Sequence, residues 1–83
     1  MGTMGRITLT VHADDNVTTI LDTDIDQRKT QTGLPLLGNI KFGHKVALRA
    51  IQSGESIIKY GIPIGIATQD IQPGEHVHTH NCK

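Results

Sequence analysis

Aromatic side chains are nearly missing from this sequence of 83 residues, which holds one Phe, one Tyr and no Trp. Without a row of rings there is no platform on which single-stranded bases could stack. Net charge is missing as well. Eight basic residues balance eight acidic ones, and apart from Arg28-Lys29 the basic residues stand singly. No basic stripe exists to neutralise a phosphate backbone, so composition argues against a nucleic-acid partner. Cysteine occurs once, as Cys82, which excludes an internal disulfide and a thiolate zinc site. No apolar run approaches the roughly 20 residues of a membrane-spanning helix. The opening Met1 to Arg6, where Met4 reads as a second start or a cloning scar, lacks the apolar segment of a secretory leader. These absences lead to the expectation of a cytoplasmic protein with no membrane contact, in which the glycosylation triplet Asn16-Val17-Thr18 is a chance match. Nucleotide-binding glycine signatures and a nucleophile-elbow serine are also missing.

What is present is aliphatic. Ile, Leu, Val and Phe make up 22 of the 83 residues, too many for a disordered chain. Ordering a chain this short costs on the order of 100 kcal/mol of conformational entropy. A core of Ile, Leu, Val and Ala, each burying less area than a ring, offsets that only narrowly. One small domain is expected, and an obligate partner with it.

The pattern along the chain is that of strands. Ile7 to Val11 alternates apolar and polar residues, placing Ile7, Leu9 and Val11 toward a core and Thr8, Thr10 and His12 away from it. Asp14 to Asn16 suits the cap of a short helical turn entering Val17 to Leu21. The ladder Asp22, Asp24, Asp26 reads as a solvated loop, since a calcium site would need the glycine and distal glutamate of an EF-hand. Beyond residue 33, glycines separate short aliphatic pieces, with strands expected near 35–41, 44–49, 56–60, 62–67 and 75–80. Residues 47–57 repeat in 67–77, with Ala, Ile-Gln and Gly-Glu in register. Each copy is read as a strand end, an inward Ile, and a reversal at Ser53-Gly54 or Pro73-Gly74, where glycine accepts a positive φ.

His76-Val77-His78-Thr79-His80 is the most conspicuous candidate for chemistry. In a strand, residues two apart share a face, so three imidazoles would project together and two or more would suit one divalent metal. The competing reading is a frayed terminal strand with its histidines in solvent. His12 and His44 join the candidate ligands if the fold brings them near. Gly43-His44-Lys45 presents an imidazole and an ammonium to an anion, or is an ordinary exposed turn. Lys59 and Tyr60 bind a carboxylate, or Tyr60 fills the small core. Cys82 is read as a free surface thiol.

Four motifs then fall in a recognisable order: His12-Ala13-Asp14-Asp15-Asn16-Val17, Gly43-His44-Lys45-Val46-Ala47-Leu48, Ile57 to Ala67 with Lys59-Tyr60-Gly61-Ile62-Pro63-Ile64-Gly65, and Gly74-Glu75-His76-Val77-His78-Thr79-His80-Asn81. Together they resemble the SAF domain of the altronate dehydratase and galactarate dehydratase family over roughly residues 6 to 81. The ending is most similar to the altronate branch. Thr18-Thr19 stands where the family carries Ala, and residues 22–39 match no pattern. The resemblance implies a mostly β, β-clip (antifreeze-like) domain with short helical turns over residues 6–81; residues 1–5 are expected to be a disordered leader or a cloning scar, and 82–83 a tail. It implies a small subunit or N-terminal domain of a sugar-acid hydro-lyase, docked on a large dehydratase subunit or a C-terminal catalytic domain. That assembly would remove water from a 2,3-dihydroxy carboxylate with a divalent metal such as iron or manganese. His12, Asp15, Asn16, His44, Lys45, Lys59 and Tyr60 are the expected substrate-side residues, and His76, His78, His80 and His12 the expected metal ligands. Two other readings remain open: a non-catalytic module that binds sugar acids, and a structural domain that forms homo-oligomers.

Overall fold

β-Branched residues dominate the segments that pair. A computed structural model describes residues 5–83 and contains six strands: β1 (Thr8–Leu9), β2 (Val17–Ile20), β3 (Lys45–Ala47), β4 (Ser56–Lys59), β5 (Ile62–Ile66) and β6 (His76–Val77). All regular structure among the described residues is strand, in a small mostly β domain as expected. No helix there is long and apolar enough to cross a membrane. The antiparallel order β1-β2-β3-β6 forms one sheet, and β4-β5 forms a second.

Register assigns the core. Val17 pairs with Ala47 and Lys45 with Val77, so these residues share one sheet face; Thr18, Val46 and His76 share the other. Against the first face pack Ile51, Ile57, Ala67 and Ile71. Against the second, Leu36 and Ile40 cover Ile20 and Val46.

The 20-residue repeat is an approximate two-fold. Ile51 and Ile71 form an antiparallel bridge. Gly54 N–H donates to the Ala67 carbonyl as Gly74 N–H does to Ala47, both at 2.8 Å. Glu55 accepts the Gln52 N–H at 2.7 Å and Glu75 accepts that of Gln72 at 2.8 Å. The symmetry reaches two buried asparagines that the repeat itself does not include. The Asn16 amide donates to the Ser56 carbonyl and accepts from Ile58 N–H. Asn81 makes the same two bonds to His76 and His78.

Several expectations are corrected. Ile7, Leu9 and Val11 do not face the core but are 40, 51 and 48% exposed. β1 pairs only with β2, and the core over that sheet face is centred two strands away. The helical turn expected after Asp14–Asn16 is a tight turn, Asp15 N–H donating to the His12 carbonyl at 3.0 Å, followed directly by β2. Thr18 and Thr19 suit a pleated ladder better than a helix. The strand expected over 35–41 is an irregular cover on the second sheet face. The strand expected over 75–80 stops at Val77, because the Asn81 side chain accepts the His78 N–H at 3.0 Å and closes a turn. Asp22 is more than a solvated loop residue. Its carboxylate pairs with the fully buried Arg6 and accepts the Ile7 N–H at 2.8 Å. Of the expected leader, residues 1–4 lie outside the described residues. Gly5 packs against Thr30, whose carbonyl atoms would stand 2.5 Å from any Cβ there.

Candidate functional site

Two local features bring three histidines together. The turn before β3 closes with His44 N–H donating to the Lys41 carbonyl at 3.1 Å, and Gly43 supplies the positive φ of 83°. β3 then pairs with β6 so that Val46 lies opposite His76, which sets His44 diagonal to His76 on the same face. His44 Nδ1 lies 2.8 Å from His76 Nε2. With His78, one ligand nitrogen of each residue falls within 4.8 Å of the other two. The His44 ring is centred 4.7 Å from that of His78, and His80 flanks the group 5.4 Å from His76. Burial disfavours charge on His76, and His44, His80, His78 and Lys45 add repulsion, so its pKa is pushed down to about 4. His76 is therefore neutral near pH 7, the form that has a lone pair to donate.

Beside this group opens a cleft of about 220 Å³ lined by Lys45, Ile64, His78, Thr79 and Cys82. Pockets that enclose a small molecule run to roughly 300–1,000 Å³. This cleft is smaller than that.

The remaining expected site residues gather elsewhere. At the turn joining β1 to β2, Asp15 accepts the His12 N–H at 3.1 Å and the Gly61 N–H at 2.8 Å. Burial pushes the Asp15 carboxyl up, but the N–H groups of Gly61, His12, Tyr60 and Val11 outweigh it and hold its pKa below the usual range. His12 Nδ1 accepts the Asp14 N–H at 3.0 Å, and its ring lies against Gly61, 2.9 Å from where a Cβ would be. Lys59 stands 4.9 Å from the exposed Tyr60 ring. Asp15 and Asn16 are both buried and spend their oxygens on backbone N–H groups. The structure thus brings His44, His76, His78 and His80 together, sets Lys45 on the opposite face of β3 where it lines the cleft with His78, and places His12, Lys59 and Tyr60 at the β4–β5 turn. Ile64 and Cys82, which line the cleft, carry no site signal in sequence; the Ala67–Cys82 bridge sets Cys82 beside the end of β5.

Fold and site together define a small β domain that presents a group of imidazoles on one open edge. Residues 6–83 match the family model described as the altronate/galactarate dehydratase SAF domain. The chain belongs to that family. It is 46% identical over 76 residues to an altronate dehydratase of Bacillus subtilis, covering 88% of this chain and 15% of that protein. An altronate dehydratase of Escherichia coli is 39% identical over 80 residues, with 88 and 15% covered. The alpha subunit of a (2R)-sulfolactate sulfo-lyase of Paracoccus pantotrophus is 53% identical over 45 residues, with 54 and 67% covered. The chain therefore spans about 15% of the length of the altronate dehydratases it matches.

Proposed function

We propose that this chain is the small SAF portion of a sugar-acid hydro-lyase, supplying one wall of an active site that a large catalytic part completes. The observation that carries this reading is the His44, His76 and His78 group, of which His78 lines an open cleft, in a chain spanning only 15% of two dehydratases. His44, His76 and His78 suit a divalent cation such as iron or manganese. Two nitrogens bound to one ion at about 2.0–2.1 Å stand roughly 3 Å apart, and His44 Nδ1 and His76 Nε2 are already 2.8 Å apart. A cation held there would supply Lewis-acid charge next to the substrate carboxylate. Lys45, on the cleft wall, would attract that carboxylate by charge. The substrate class is a 2,3-dihydroxy carboxylate that loses water. The free thiol of Cys82 suits the reducing cytoplasm we propose as its setting.

Turnover of altronate and galactarate by the assembled enzyme tests the reading. His76→Ala should lower kcat by at least about tenfold, the scale seen when metal sites are disturbed. Unchanged turnover in both His44→Ala and His76→Ala would remove the assignment.

A further inference from the structure

The β4–β5 hairpin carries two features outside the imidazole group itself. Its turn is the pair Tyr60-Gly61, both with positive φ, 60° and 73°. Two-residue hairpin turns of that kind favour Asn or Gly at the first place, and a tyrosine there is strained. The strain is held from below by Asp15, which accepts the Gly61 N–H, and by the His12 ring packed on Gly61. The Tyr60 ring is left 56% exposed. The second feature is β5 itself, where Ile62, Ile64 and Ile66 at alternate positions are 57, 42 and 52% exposed. No charged residue interrupts Gly61 to Thr68. A rigid aromatic beside an apolar row has the make-up of an interface centre.

We propose that this hairpin is the surface on which the large catalytic part seats, with Tyr60 as its anchor. The inference rests on the hydro-lyase reading above. Ile64 belongs both to the isoleucine row and to the cleft beside His78, so a body seated on the row also covers that cleft. The matched relatives indicate the occupant. The altronate dehydratases have most of their length outside the matched segment, and the shorter sulfo-lyase relative is named as a subunit.

The test installs this chain in the Bacillus subtilis altronate dehydratase, in place of the segment to which it is 46% identical. Hydrogen exchange of residues 56–66 and turnover of altronate are then compared with the isolated chain. Amides of the hairpin should exchange about tenfold or more slowly in the fused enzyme than in the isolated chain. Tyr60→Asn, which relieves the positive φ, should raise the thermal midpoint of the isolated chain yet reduce that protection and the turnover by about tenfold. Equal exchange of the hairpin in both forms, with turnover intact, would overturn the proposal and leave the hydro-lyase reading standing. Protection of the hairpin in a dimer of the isolated chain, undiminished by fusion, would assign the surface to a second copy and overturn it also. A fused enzyme with neither turnover nor protection anywhere would remove the surface together with the reading beneath it.

Discussion

Ile51 and Ile71 each donate the backbone N–H to the other's carbonyl, at 2.9 and 2.7 Å, and both side chains are 1% exposed. The two copies of the sequence repeat thus meet at their equivalent residues, and the pair sits in the middle of the larger core. Each isoleucine closes the same turn against the other copy. Their losses should match in kind and size.

Ile51→Ala and Ile71→Ala are each expected to cost about 2–5 kcal/mol in urea denaturation. The double variant should depart from additivity by more than about 0.5 kcal/mol, because the two share one cavity. A difference of several kcal/mol between the single variants would show that the two-fold is not energetic.

The same two-fold predicts one asymmetry. Gly54 and Gly74 occupy equivalent places with φ of 90° and 80°. A Cβ on Gly54 meets nothing within 4 Å, whereas one on Gly74 would lie 1.8 Å from the Pro35 carbonyl oxygen. Gly54→Ala should cost about 1–2 kcal/mol of backbone strain. Gly74→Ala should cost well beyond that, since the 35–40 cover must lift off the sheet. Thermal unfolding of the two variants gives the comparison.

Much of this was legible in the residues. The register of Ala47-Ile51-Gly54 with Ala67-Ile71-Gly74 disclosed the symmetric turn units, because glycine and inward isoleucine are needed at fixed places. The strands of this hairpin were legible from their aliphatic runs and from Gly61 between them, although the turn begins at Tyr60, within the strand expected over 56–60. Alternation misled at Ile7, Leu9 and Val11, since period two shows which residues share a face but not whether anything packs on it. His44 and His76 are 32 residues apart, and their contact depends on the β3–β6 pairing, a non-local choice that no periodicity encodes. Asp22 looked like one rung of an acidic ladder, although its carboxylate answers a buried cation, Arg6, 16 residues away.

That ion pair sets a third expectation. Arg6 is fully buried while the Asp22 side chain keeps 20% exposure. Asp22→Asn should destabilise by about 2–3 kcal/mol, below the roughly 3–5 kcal/mol for breaking a wholly buried pair. Burial raises the Asp22 pKa, but the Ile7 N–H and the Arg6 guanidinium outweigh it and hold the carboxyl below its ordinary 3.8. The stabilisation is therefore complete above that value and is lost as pH falls below it. Asp22→Asn should flatten stability at the acid end, as read by denaturation at stepped pH.

His76 acts in a higher window. Its pKa lies near 4 instead of 6.5, so in the metal-free protein the unfolded chain takes up a proton there before the folded one does. Stability should be unaffected by this group above pH 6.5 and fall as the pH drops from 6.5 toward 4. His76→Gln, which removes the titration, should weaken that slope. Proton resonances of the His76 ring followed over pH 3.5–8 check the same point, with a midpoint near 4 expected.

The most direct test of the imidazole site is calorimetric titration of the purified chain with manganese(II) and iron(II) at pH 7.5. One ion per chain is expected, with affinity lost in His44→Ala and His76→Ala and retained in His12→Ala, whose ring lies at the Gly61 turn. Binding that is undiminished by His76→Ala, or lost equally in His12→Ala, would contradict a metal centre built on His44, His76 and His78.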